Sequence, residues 1–338
     1  MIDLLVAGGG PAGLAAAIHA ARVGMEAVVV EPRATPVDKA CGEGIMPSGV
    51  AALRSLGVEV SGHDLRGIRY LAGARRAEAT FHGSPGLGVR RTELHAALYQ
   101  RAVELGVRIV PGKVGEIRQA HDRVSAAGLT ARWLIAADGL HSPLRRELGL
   151  DRPGGAYPRR YGMRRHYRIA PWTDFVEVHW SRHGEAYVTP VGDNLVGVAV
   201  LSRDRCSYDE HLTAFPALAA LLGGRGANSV RGAGPLRQRA RSQRAGRALL
   251  VGDAAGYVDA LTGEGIALAM ATAAAAVRCL AAVRPQAYPA QWARLTRRHR
   301  LLTEGLLRAA RYPATARLIV PAAHRAPAAF RAAVHALQ

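Results

Sequence analysis

The chain has 338 residues, 49% of them hydrophobic and 21% charged, enough to bury a large core and too apolar for a disordered polymer. Its formal charge is +19, carried almost wholly by arginine that is spread through the chain without interleaved aromatic motifs, which argues against a specific nucleic-acid surface. Cys41, Cys206 and Cys279 lie far apart, so no disulfide framework and no metal site is expected, and the absence of any run of about eighteen apolar residues argues for a cytoplasmic chain.

The opening "MIDLLVAGGG" has no basic leader region and reads as a buried strand, Leu4 to Ala7. A turn Gly8-x-Gly10-x-x-Gly13 follows, with Pro11 and Ala12 inside it. Next come an alanine-rich helix predicted from Leu14 to Val23 and a second strand from Ala27 to Val30 ending in Glu31, with Arg33 just beyond. Each residue type suits a dinucleotide. Gly8 permits the tight turn, Gly10 lets backbone approach a pyrophosphate, and Gly13 lets the helix pack on the sheet. The helix N-terminus offers free N–H groups to phosphate, and Glu31 is spaced to accept from ribose hydroxyls.

Residues 38–47, "DKACGEGIMP", are not a second nucleotide loop, because Pro47 takes the third glycine position. Pro47 and Ser48 open a helix predicted to run to Leu56 and to end at Gly57. "GIRYLAGARRAEATF" (67–81) reads as a hairpin turning near Gly73, and residues 160–201 hold several strands, the last pair turning at Gly192-Asp193-Asn194. Glycine and asparagine there are expected to supply positive φ. Alternation in the strand after Arg160 sets Tyr161, Met163, Arg165 and Tyr167 on one face and Arg164, His166 and Arg168 on the other, without saying which face meets substrate. His166, Tyr187, Thr189 and Trp180 are pocket candidates.

Two further segments are strands running into turns: Asp138-Gly139-x-x-Ser142-x-x-Arg145 and Gly252-Asp253-Ala254-Ala255. After the second, Thr262-Gly263-Glu264-Gly265 leads into a helix predicted from about Ile266. No second GxGxxG occurs, since Arg237 stands where the glycine of 232–237 is needed, so any nicotinamide binds transiently or the electrons come from another donor. From about Tyr288 the chain becomes a set of basic amphipathic helices, read either as a solvated face or as peripheral membrane contact.

Together the three glycine-containing motifs, in order over about residues 1–285, resemble the FAD-dependent para-hydroxybenzoate-hydroxylase-like superfamily. That superfamily includes aromatic monooxygenases, flavin halogenases and geranylgeranyl reductases. The resemblance implies an α/β fold: a Rossmann-like FAD-binding domain (1–65, 84–155, 235–287), an interleaved, mostly antiparallel substrate-binding sheet (66–83, 156–234) and C-terminal basic helices (288–338). It implies FAD, with Asp253 on the ribityl chain and Asp138 and Gly139 near the pyrophosphate. Arg91 would approach the flavin from the sheet side, and Gly252, Gly263, Gly265 and Ile266 would form loops around it. The segment 38–47 would pass beside the flavin ring. Cys41 is then a flavin-side small residue or a reactive thiol, and Glu43 an acid that positions substrate or moves a proton.

The halogenase W-x-W-x-I-P element is missing. "KACGEGI" resembles the K-x-C-G-G-G stretch of geranylgeranyl reductases, with Glu43 in place of the middle glycine. The overall pattern is most similar to hydroxylases of phenolic-lipid and polyketide pathways in secondary metabolism. The expected activity is therefore an NAD(P)H- and O2-dependent monooxygenase acting through a flavin C4a-hydroperoxide on an aromatic or lipidic small molecule. The alternative is a prenyl or enone double-bond reductase, and a third reading is a non-enzymatic basic flavoprotein.

Overall fold

Ile2–Ala7 is almost wholly apolar and buried, as the central strand of a sheet covered on both faces must be. In the computed structural model, which describes residues 1–152, 158–224 and 226–337, this strand pairs in parallel with Ala27–Glu31 and Leu129–Ala136. Arg108–Pro111 extends one side in parallel and Ala248–Leu250 the other, where Arg244–Ala245 adds an antiparallel edge. The first strand thus sits mid-sheet, the arrangement of a doubly wound dinucleotide fold. Helix Pro11–Arg22 begins at the proline, earlier than the predicted Leu14, because proline's fixed φ suits the first helical position. It packs against helix Gly265–Ala281 through alanines with no exposed surface, among them Ala16, Ala17, Ala273 and Ala276.

A second sheet has seven strands in the order Arg231–Ala233, Tyr161–Tyr167, Leu195–Ser202, Gly184–Gly192, Phe175–Trp180, Gly67–Ala72, Arg75–Thr80. All its neighbours are antiparallel except Phe175–Trp180 with Gly67–Ala72. The 67–81 hairpin forms as predicted, with Gly73 at φ +57. The turn at Gly192-Asp193-Asn194 also forms, but none of the three has positive φ. A register shift between Pro190 and Gly192 bends the chain instead, as a bulge does. The predicted boundary near residues 155 and 156 lies outside the described residues.

Helix Tyr288–Ala309 lies on Gly265–Ala281, while Ile319–Arg325 and Pro327–His335 cover the edge strand Arg75–Thr80. Val320, Phe330 and Val334 are buried there, the Phe330 ring 4.8 Å from that of Tyr70. Two carbonyls of the edge strand accept from imidazoles on these helices, Arg76 from His324 at 2.8 Å and Thr80 from His335 at 3.0 Å. No helix among the described residues is long and apolar enough to cross a membrane.

Candidate active site

The glycine turn is built to steric limits. A Cβ on Gly13 would lie 1.8 Å from the Gly8 carbonyl oxygen, and one on Gly8 2.6 Å from that of Ala137, with Gly8 at φ +104. A Cβ on Gly10 would come near only Arg91 Nη2, at 3.9 Å, so this glycine borders open space. Ala12 packs beneath the second turn, where a Cβ on Gly252 would strike it at 2.8 Å. No side chain caps the helix at Gly10, so its first N–H groups are free for an anion.

Beside the turn lies a cavity of about 140 Å³ lined by Gly9, Glu31, Arg33, His95, Tyr99 and Pro111 among others. Glu31 faces it, but its oxygens already accept from the Gly9 N–H at 2.7 Å and from the Arg33 backbone and guanidinium at 2.6 to 3.0 Å. Burial raises the Glu31 carboxyl, and the Arg33 and Gly9 hydrogen bonds outweigh it and hold the group low. A ribose would have to share this carboxylate with Arg33, which is 39% exposed and able to move.

Lys39, Cys41, Arg91 and Asp253 meet on the other side of the turn. Arg91 opens helix Arg91–Glu104, and its Nε is buried with no hydrogen-bond partner. Burial lowers the Lys39 amine, and Arg33 and Arg91 lower it further against the pull of Asp253 and Glu31. Burial likewise raises the Asp253 carboxyl against Arg91 and Lys39. The Cys41 thiol is raised mainly by burial, which keeps it protonated and a poor nucleophile. A Cβ on Gly139, at φ +85, would lie 3.3 Å from Lys39 Nζ. Gly263, at φ +71, precedes Glu264 and the helix that starts at Gly265 and Ile266, again with no side-chain cap. A free helix N-terminus, an unpartnered guanidinium nitrogen and a part-buried carboxylate against two cations form a cradle that fits a dinucleotide such as FAD.

Asp138 borders the glycine turn, its Cα 3.2 Å from where a Cβ on Gly8 would lie. Its carboxylate accepts from the Ser142 hydroxyl at 2.6 Å and the Leu144 N–H at 3.0 Å, capping the short helix Pro143–Glu147. Arg145 is 1% exposed and ties the two later motifs together through Asp151 (2.8 Å), the Ala254 carbonyl (3.1 Å) and Gln238 (2.7 Å).

Glu43 is enclosed, not turned to open space. Its oxygens accept from the Arg91 backbone N–H at 2.9 Å and from His166 Nε2 at 2.6 Å, with Arg164 3.8 Å away. Glu43 has φ +61, which explains why the pattern it resembles has glycine there. Its two hydrogen bonds, the one with His166 fully buried, offset that strain. The face of Tyr161–Tyr167 that carries Arg164 and His166 therefore meets the 38–47 segment, while Tyr167 packs with Tyr208, Leu212 and Phe215 on the far side. Tyr187 donates to the Leu261 carbonyl at 2.8 Å and Thr189 to the Gly42 carbonyl at 2.8 Å. Trp180 is buried against Tyr70, 5.4 Å between ring centroids, away from the glycine turn. Sequence reasoning did not select Lys39, Asp38, Arg164 or Asn228 for the site. Of these only Lys39, one of two lysines in the chain, carried a visible signal.

A family described as FAD binding domain matches residues 1–180. The menaquinone reductase of Mycobacterium tuberculosis is 31% identical over 326 residues, spanning 82% of this chain and 76% of the relative. Digeranylgeranylglycerophospholipid reductase 1 of Methanothermobacter thermautotrophicus is 29% identical over 78% of this chain and 73% of its own. A solved flavin-dependent brominase superposes with a TM-score of 0.84 over 99% of this chain and 93% of the brominase, at 17% identity, which is a likeness of fold.

Proposed function

We propose that this chain, which belongs to the FAD-binding-domain family and is an FAD-dependent oxidoreductase, reduces a carbon–carbon double bond in an apolar, prenyl-type lipid. The observation that carries this reading is that its curated relatives near 30% identity, aligned over most of both chains, are named as reductases of menaquinone and of a digeranylgeranyl lipid. Monooxygenation, the activity expected from the motif resemblance, has no such support.

When bound, the reduced flavin would supply a hydride to one carbon of the double bond. The protein's part is to bind, orient and protonate. The N-terminus at Gly10 and Pro11, with Lys39 and Arg91, would balance the pyrophosphate and the negative charge of a reduced ring. Asp253 would accept from the ribityl chain. Met46, Val178, Tyr187 and Leu261 belong to one buried apolar cluster where the sheet meets the flavin loop, an environment for a hydrocarbon that excludes water. Cys41, its thiol kept protonated by burial, is the group we assign as proton donor to the second carbon. Glu43 and His166 hold the segment that carries it, and Tyr187, fixed on Leu261, shapes the pocket wall. NAD(P)H is the assigned reductant, visiting transiently.

Access for a lipid would come from the C-terminal helices. Residues 288–338 contain nine arginines and a single acid, Glu304, and Leu301, Tyr312 and Leu318 are exposed among them. This combination suits an anionic membrane surface. The test is to incubate the reduced holoprotein with menaquinone and with a digeranylgeranyl phospholipid, with and without O2. A product gaining two hydrogens under argon that it keeps after air reoxidation of the quinone ring supports the reading. A product gaining one oxygen atom, only in air, overturns it in favour of monooxygenation.

A further inference from the structure

The chemistry open to His166 is decided by two neighbours outside the cofactor cradle. Its Nδ1 lies 2.7 Å from Asn228 Nδ2 and 3.1 Å from Arg164 Nη1. The Asn228 amide has only one orientation here, because its Oδ1 accepts the His166 backbone N–H at 3.0 Å. Both groups facing Nδ1 are therefore donors. An arginine has no lone pair to offer and the amide nitrogen none to spare, so Nδ1 must accept. The ring proton then sits on Nε2, 2.6 Å from Glu43 Oε2.

We infer that Asn228 and Arg164 are positioning residues that lock His166 in its Nε2–H tautomer, making it a fixed donor to Glu43 and closing it as a proton shuttle. A shuttle needs a proton acceptor on its far side, and His166 has two donors there. The same strand makes a second attachment two residues earlier. Arg164 Nη2 donates to the Asp38 carboxylate and to the Lys39 carbonyl, the latter at 3.1 Å. Asp38 and Glu43 bracket the segment 39–42, so Arg164 and His166 hold both its ends while Lys39 and Cys41 face the cradle between them. Arg231, 3.0 Å from Asp38, steadies the outer end. The lock is a property of the protein with or without cofactor and holds whichever substrate is reduced.

Selective 15N labelling of histidine reads the tautomer directly in apo- and FAD-loaded protein near neutral pH. The expected His166 spectrum has an unprotonated Nδ1 and a protonated Nε2. A protonated Nδ1 in the wild type overturns the inference without any variant. Asn228→Asp places an acceptor opposite Nδ1 and is expected to add a proton there, whereas a purely structural Asn228 would leave the ring unchanged, which also overturns it. FAD affinity of the apoprotein gives the second arm. His166→Gln keeps a donor for Glu43 and should bind FAD within about threefold of wild type, while His166→Leu should lose about tenfold or more. Equal losses in the two variants would sink the claim that the donated hydrogen bond, not the volume of the ring, holds the segment.

Discussion

Arg160 immediately precedes the strand Tyr161–Tyr167, and Arg164 lies within it, four residues on. Both are buried, and each fastens the antiparallel sheet to a loop bordering the cradle. Their surroundings differ. Asp38 is held by two arginines, Arg164 and Arg231, and its side chain is 23% exposed; burial raises its carboxyl, but the two guanidinium contacts win and hold it below the ordinary range. Arg160 alone serves two acids, Glu185 at 2.6 Å and Asp259 at 3.0 Å. Asp259 is 3% exposed with Oδ1 unpartnered. There burial outweighs Arg160, Glu185 adds its repulsion, and the Asp259 carboxyl is pushed up to about 6. The same residue type, four residues apart, thus makes one attachment in which two arginines share an acid and one in which two acids share an arginine. Depth separates them first, burial being the largest cause at Asp259, and the number of arginines per acid adds to it.

Arg164→Met tests the two-arginine side hardest. It strips Asp38 and Glu43 of a buried cation and should cost about 3–5 kcal/mol in urea unfolding. Asp38→Asn should cost about 2 kcal/mol at neutral pH. Because the folded Asp38 is depressed, that contribution is present above the ordinary aspartate range and fades as pH falls below it. Asp259 has the opposite sign. Its folded state holds a proton that the unfolded chain releases, so stability falls as pH rises from about 4 to about 6, and the cost is complete above that window. Asp259→Asn is therefore expected to raise stability at pH 7 by about 1–2 kcal/mol, with the gain gone near pH 4. A loss at pH 7 would show that the two attachments are alike. The smallest effect is expected from Gly42→Ala, inside the Arg164-held segment. Nothing lies within 4 Å of a Cβ there and no positive φ is required, so stability should change by no more than about 0.5 kcal/mol.

Legibility in the sequence followed the range of the forces involved. Gly8 and Gly13 were readable because their demand is local and steric: a strand, a turn and a helix within twenty residues leave no other choice. The two faces of Tyr161–Tyr167 were readable from alternation, but their direction was not, since that depends on helices Tyr208–Leu212 and Pro216–Leu222 covering one of them. Arg145 gave no sign of being buried, because its partners Gln238 and Ala254 lie about a hundred residues away. Asn228 was equally silent, 62 residues from the ring it orients. Glu43 was noticed as a departure from a glycine pattern, yet only its φ of +61 shows what the pattern requires.

The imidazoles of His324 and His335 on the edge strand also bear on how the chain is made. Arg75–Thr80 is synthesised long before Phe175–Trp180 can pair with its hairpin, and longer still before residues 319–335 can cover it. At translation speeds of roughly 5–20 residues per second the bare edge waits on the order of 10–50 s. Through that interval it is a template for pairing with another nascent copy. Arg75, Arg76 and Glu78, all on this strand, keep it charged meanwhile. Removing residues 319–338 should therefore show itself first as aggregation during expression, before any change at the flavin.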